Sequence, residues 1–225
     1  AISGGDGIDK LTGGAGDDTI DGQAGADIID LSAGGSDDVK ILDKTDGKIS
    51  IKSFTLRGTA TTAATGSDQI SFSADANTTT ADIFDDTSLV LAATDAGATG
   101  VVTTIDSTDY NEFAGNSGTT SNSGVQDNHI NVITTRGYAT LDAALKANGV
   151  NDNNTNDIEL ASGVVVFYNN DTDLVEMHFV SEFDGSDDDE GVITTTSTEI
   201  GSFADIGLAD MASFGYENFN VVSEG

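Results

Sequence analysis

The chain has 225 residues, 37% of them hydrophobic, which is enough to build a core and excludes a disordered acidic tail. Acidic residues outnumber basic ones 39 to 8, and the net charge of −31 excludes nucleic acid and anionic membrane as partners and points toward cations. Cys, Pro and Trp are all absent, so no disulfide can staple the fold, and its stability must come from packing, β ladders or a bound metal.

The first elements are repeats. Residues 4–12, 13–21 and 22–30 read GGDGIDKLT, GGAGDDTID and GQAGADIID, in phase and without a gap. Each opens on glycine, repeats glycine at position four, and places aspartate at position six (Asp9, Asp18, Asp27) and an aliphatic residue at position eight (Leu11, Ile20, Ile29). A fourth copy, SAGGSDDVK at 32–40, follows one residue late and sets Gly35, Asp37 and Val39 at positions four, six and eight. Ala1-Ile2-Ser3 looks like the last third of an earlier unit, so the chain reads as a fragment or processed piece. A nine-residue unit with one aliphatic side chain buries nothing alone and must stack on its neighbours. The period therefore predicts a solenoid: a short strand around position eight, a glycine-rich turn, and two units per coil. A flexible Gly/Asp linker, the bland alternative, has no reason to hold an aliphatic residue at every ninth position.

From Val39 to Phe54 the stretch VKILDKTDGKISIKSF alternates as paired strands would, with Asp46-Gly47 expected as a hairpin turn. Short strand-like runs follow at Gln69–Ser73, Ser88–Ala92 and Val101–Ile105 in a stretch rich in Thr, Ala, Ser, Asn and Gly. A helix is predicted over Tyr138–Asn148, capped by Thr140 and ended by Gly149, and a shorter one over Leu208–Ser213. Gly163–Asn169, Leu174–Val180, Gly191–Ser197 and Tyr216–Val222 read as a predominantly antiparallel meander. The expected fold is thus mostly all-β: a short parallel β-roll with its β continuation over residues 1–57, then a β-rich C-terminal domain over 58–225 with one or two short helices.

Stacked coils lie about 4.8 Å apart, which brings position-six aspartates of alternate repeats together: Asp9 against Asp27, and Asp18 against Asp37. Two carboxylates about 5 Å apart repel by roughly 3 kcal/mol at an effective dielectric of 20, and a divalent cation reverses the sign. The turns offer oxygen only, from these aspartates and from the carbonyls of Gly5, Gly7, Gly14, Gly16, Gly25 and Gly35. Calcium accepts six to eight such oxygens, whereas magnesium wants a tighter octahedron and zinc wants His or Cys. The acidic runs Asp184–Glu190 and Asn151–Asp157 lack EF-hand spacing and are expected as solvated loops, and His129 and His178 as structural residues. No nucleophile elbow, phosphate loop or metalloprotease motif is present, so an enzyme is not expected.

These repeats resemble the GGxGxDxUx nonapeptide of RTX proteins, in which the repeats form a calcium-bound parallel β-roll. The departures are Gln23 for a glycine in the third copy, and Ser32 and Ala33 where the shifted fourth copy should open on glycines. The remainder is similar to regions that follow RTX repeats, down to a terminal polar-then-aliphatic stretch, Tyr216 to Val222, and no Lys or Arg after Lys146. The resemblance implies export by a type I ABC transporter using a C-terminal signal, and folding on calcium outside the cell. It further implies a structural protein at the bacterial cell surface, surface-layer-like, that self-associates or binds surface glycan or lipopolysaccharide. The rival readings are the C-terminal secretion and folding module of a larger protease or lipase, or of an adhesin.

Overall fold

The computed structural model describes residues 1–43, 46–56, 66–75, 84–85, 110–113, 130–148, 159–160, 163–184, 194–215 and 218–223. Alternate repeats feed two sheets. Strands β1 (Ile2–Ser3), β3 (Thr19–Asp21) and β5 (Asp38–Ile41) stack parallel in one, and β2 (Lys10–Thr12), β4 (Ile28–Asp30) and β6 (Ile49–Lys52) stack parallel in the other. Ile2 lies opposite Ile20 and Leu11 opposite Ile29, so two nonapeptides complete one coil. Each strand is too short to hold its place by ladder bonds alone. Its register comes from the single inward aliphatic residue, and Ile20, Ile29, Val39 and Ile51 are fully buried between the sheets.

The hairpin expected at Asp46-Gly47 does not form. β5 and β6 sit in opposite sheets, and Gly47, shortly before β6, lies at φ 104°. The alternation in VKILDKTDGKISIKSF is real, but it records two half-buried strands that each face the same core from opposite sides. Strands β7 (Gln69–Asp75) and β15 (Phe219–Ser223) extend the first sheet as further parallel rungs, with the two-residue β8 (Phe84–Asp85) beside β7.

The second sheet continues from β6 into β14 (Thr194–Phe203), β13 (Leu174–Asp184), β12 (Gly163–Asn169), β10 (Ile130–Tyr138) and β9 (Tyr110–Phe113), with β11 (Glu159–Leu160) on β13. The expected meander holds for β12, β13 and β14, which pair antiparallel in that order, the first two through the turn at 170–173. It fails for Tyr216–Val222, which as β15 pairs parallel with β7, and the pairs β9–β10, β10–β12 and β6–β14, which the expectation did not include, are parallel as well. A parallel neighbour needs a crossover, and helix α1 (Leu141–Asn148) supplies one between β10 and β12. Thr140 caps it as predicted, its Oγ1 accepting the Ala143 N–H at 3.2 Å.

The run GVVVFYN on β12 is buried on both faces. Val164 and Val166 join the core between the sheets, while Val165 and Phe167 meet Leu141, Ala144 and Leu145 beneath α1. Burial on two sides explains a continuous apolar run where a one-sided strand would alternate. The expected helix at Leu208–Ser213 is present as a 3-10 helix that sends Met211 into the main core. Among the described residues no helix is long and apolar enough to cross a membrane. The expected strands at Ser88–Ala92 and Val101–Ile105, His129 and the loop Asn151–Asp157 lie outside the described residues, as does most of Asp184–Glu190.

Candidate metal centre

The turns between strands stack as closely as the strands do. The Asp9 N–H donates to Asp27 Oδ1 at 2.9 Å across a separation of 18 residues, and the Asp18 N–H to Asp37 Oδ1 at 2.9 Å across 19. Both predicted pairs are therefore brought together, each through one oxygen of the later carboxylate. The carbonyls follow suit: Asp9 O accepts from Ile28 N at 2.9 Å, and Asp18 O from Asp38 N at 2.7 Å. The backbone of each aspartate is thus held on both sides while the second carboxylate oxygen is left over.

That second oxygen is the telling atom. Oδ2 of Asp9, Asp27 and Asp37 is buried without a hydrogen-bond partner, and Asp27 and Asp37 as residues are 0% and 1% exposed. A buried carboxylate oxygen facing nothing is among the costlier features a fold can carry, so a cation is the natural complement. In the second pair the two aspartates converge, since a Cβ added to Gly13 would lie 3.6 Å from Asp37 Oδ2 and 3.7 Å from Asp18 Oδ2.

The six glycines expected to offer carbonyls all adopt left-handed backbone: Gly5 at φ 98°, Gly7 109°, Gly14 92°, Gly16 99°, Gly25 146° and Gly35 157°. Gln23 takes the same region at φ 63° in place of the missing glycine, its N–H held by Asp21 Oδ1 at 3.1 Å. Turn stacking is tightest at Gly25, where a Cβ would collide with the Gly7 carbonyl oxygen. Gly25→Ala is expected to cost about 2 kcal/mol or more, read as a lower urea midpoint at saturating calcium, because the obstruction is backbone and cannot rotate away.

A third rung escaped the sequence analysis. Asp68 follows Asp37 in the same column, its Oδ1 accepting the Asp37 N–H at 2.9 Å across 31 residues. The signal was there: Gly66, Asp68 and Ile70 repeat the spacing of Gly35, Asp37 and Val39, displaced by a longer coil. Burial pushes the Asp68 carboxyl above the usual aspartate range, opposed by N–H bonds from Asp37 and Thr55. The other column ends without an acid, since Ile49 stands just before the Ser50 that pairs with Ile28.

With this geometry in view, the comparison with known families is decisive. Residues 3–38 match the family model of the RTX calcium-binding nonapeptide repeat, in four copies. Residues 3–38 are thus a segment of RTX repeats. Neither a curated protein nor a solved structure matches the chain. RTX nonapeptides are calcium-binding, and the hard-oxygen donors of these RTX turns suit that ion.

Away from the RTX turns, Glu176, His178 and Glu199 bring ligand-type atoms within 4.8 Å of one another on the second sheet. Both carboxylates already have partners, while His178 Nδ1 is buried without a hydrogen bond. Glu176 accepts from Asn169 Nδ2 at 3.0 Å and Thr172 Oγ1 at 2.9 Å and faces His178 Nε2 at 3.2 Å, while Lys48 Nζ pairs with Glu199 at 2.5 Å. These bonds tie β13 to the end of β12 and its turn, and β14 to Lys48 just before β6. Burial would push Glu176 up, but the bonds from Asn169, His178 and Thr172 outweigh it and hold its carboxyl below the ordinary range. A lowered folded pKa gives stability that is present above the unfolded value and is lost as pH falls through the folded one. Glu176→Gln is accordingly expected to cost about 1 kcal/mol at pH 7, with the gap to wild type closing below pH 4.5 in thermal melts.

Proposed function

We propose that this protein is a secreted structural component of the bacterial cell surface, of the surface-layer kind, that folds and assembles on calcium after type I export. In this reading Asp9 with Asp27, and Asp18 with Asp37, hold the ions together with carbonyls of the glycine turns, and the chain performs no catalysis. The observation that carries it is the set of buried, unpartnered Asp Oδ2 atoms between stacked turns. In calcium-poor cytosol those carboxylates repel and keep the repeats unfolded and able to thread a transporter; at millimolar calcium outside, binding free energy becomes folding free energy. The net charge of −31 also favours assembly through divalent bridges, to neighbouring copies or to anionic surface glycan such as lipopolysaccharide.

Electron microscopy of the purified chain with and without calcium tests the assembly. Ordered sheets or filaments are expected in millimolar Ca2+ and none in chelator. Monomers at every calcium level would sink the assembly reading while leaving calcium-driven folding standing.

A further inference from the structure

Asp68 resembles the aspartates before it in position and differs in what its carboxylate does. Where Asp27 and Asp37 leave Oδ2 unpartnered, Asp68 gives Oδ1 to the Asp37 N–H at 2.9 Å and Oδ2 to the Thr55 N–H at 2.7 Å. Thr55 answers with its own carbonyl, which accepts the Asp68 N–H at 2.9 Å. Both carboxylate oxygens are thus consumed by backbone, in a residue 1% exposed. A protein N–H takes the oxygen that Asp27 and Asp37 leave without a donor.

Asn218 locks this arrangement to the far end of the chain. It is 0% exposed, and its Nδ2 donates to the Asp68 carbonyl at 2.9 Å and the Thr55 carbonyl at 3.4 Å. Its Oδ1 accepts the Gly215 N–H at 3.1 Å, immediately before β15. β15 then lies on β7 with Phe219 opposite Ile70, two residues beyond Asp68.

We propose that Asp68, gripped by Thr55 and Asn218, is an ion-free end rung through which docking of the C-terminal strand β15 sets the calcium affinity of the Asp18–Asp37 pair. The inference rests on the calcium reading above. Asp37 is the shared part: its Oδ2 is offered to the ion, its N–H is held by Asp68 Oδ1, and its carbonyl accepts the Gln69 N–H at 2.8 Å. Releasing the clamp frees the Asp37 backbone, and the ion must then order it on binding. Coupling is reciprocal, so calcium at Asp18–Asp37 tightens β15 by the same factor that β15 tightens calcium. The Asp9–Asp27 pair, whose column ends at Ile49, lacks this tie and serves as the internal control.

The test is calorimetric titration of the calcium-free full chain with Ca2+, for wild type, Asp68→Asn, Asn218→Ala and Asn218→Asp, alongside limited proteolysis of the C-terminal segment. Asn218→Asp keeps the acceptor for Gly215 but replaces the two donated bonds by a buried carboxylate facing the Asp68 and Thr55 carbonyls, so it releases the clamp while the Gly215 bond can still form. The expected result is an unchanged number of ions, one class of site weakened about tenfold and another unaffected, and calcium protection of β15 reduced in step. Loss of a whole ion in Asp68→Asn would make Asp68 a ligand and overturn the proposal. So would wild-type affinities in all three variants. No calcium binding by wild type would instead overturn the calcium reading itself and the coupling with it.

Discussion

Chelating calcium is expected to abolish the β-roll signal over the repeats, and restoring millimolar Ca2+ to recover it, as followed by circular dichroism and by the thermal midpoint. The reason is local. Asp27 and Asp37 are 0% and 1% exposed, with one carboxylate oxygen each buried and unpartnered. Several kcal/mol of desolvation per buried charge exceeds what three-residue strands with one inward aliphatic apiece return. An ion present at a thousand times its dissociation constant contributes about 4 kcal/mol per site, or a rise of roughly 10 °C in the midpoint for a chain of this size. Asp37→Asn sharpens the test, because the amide oxygen still accepts the Asp18 N–H while the charge facing the ion is gone. That variant should bind one ion fewer and lose the corresponding part of the midpoint shift. Equal folding in chelator and in calcium would show that the turns close without an ion.

Phe203→Ala is expected to cost about 4 kcal/mol, read from urea unfolding at saturating calcium. Phe203 is fully buried on β14, opposite Ile51 of β6, where the roll's sheet passes into the C-terminal strands. Its ring stands edge-on to Phe54 at 5.0 Å and to Phe214 at 5.5 Å, and Phe214 stacks on Phe219 of β15 at 5.9 Å. Phe203 therefore joins the segment after β6 to the end of the 3-10 helix, and through Phe214 to β15. Deleting it opens a cavity that backbone from three separate elements cannot collapse into together. A loss under about 1 kcal/mol would mean the two halves are held by ladder bonds alone.

The nine-residue period carried more of this protein than its share of the chain suggests. Glycine at one and four, aspartate at six and an aliphatic at eight were sufficient to place two units per coil, pair Asp9 with Asp27 and Asp18 with Asp37, and choose the ion, because each requirement is met within a single turn and its copy one coil away. Thr140 and the apolar spacing of Leu141, Ala144 and Leu145 located the helix for the same reason: caps and faces are local. What lay beyond the sequence was pairing over long separations. Alternation at VKILDKTDGKISIKSF is identical for a hairpin and for two rungs of opposite sheets, since both bury every second residue. Likewise the run VVVF at 164–167 is apolar throughout whether its neighbours run parallel or antiparallel. Asp68 and Asn218 meet across 150 residues, and no periodicity links them. Only the closed tertiary structure decides which distant backbone caps the aspartate column, because that cap is made by groups every residue possesses and is selected by where the strands come to rest.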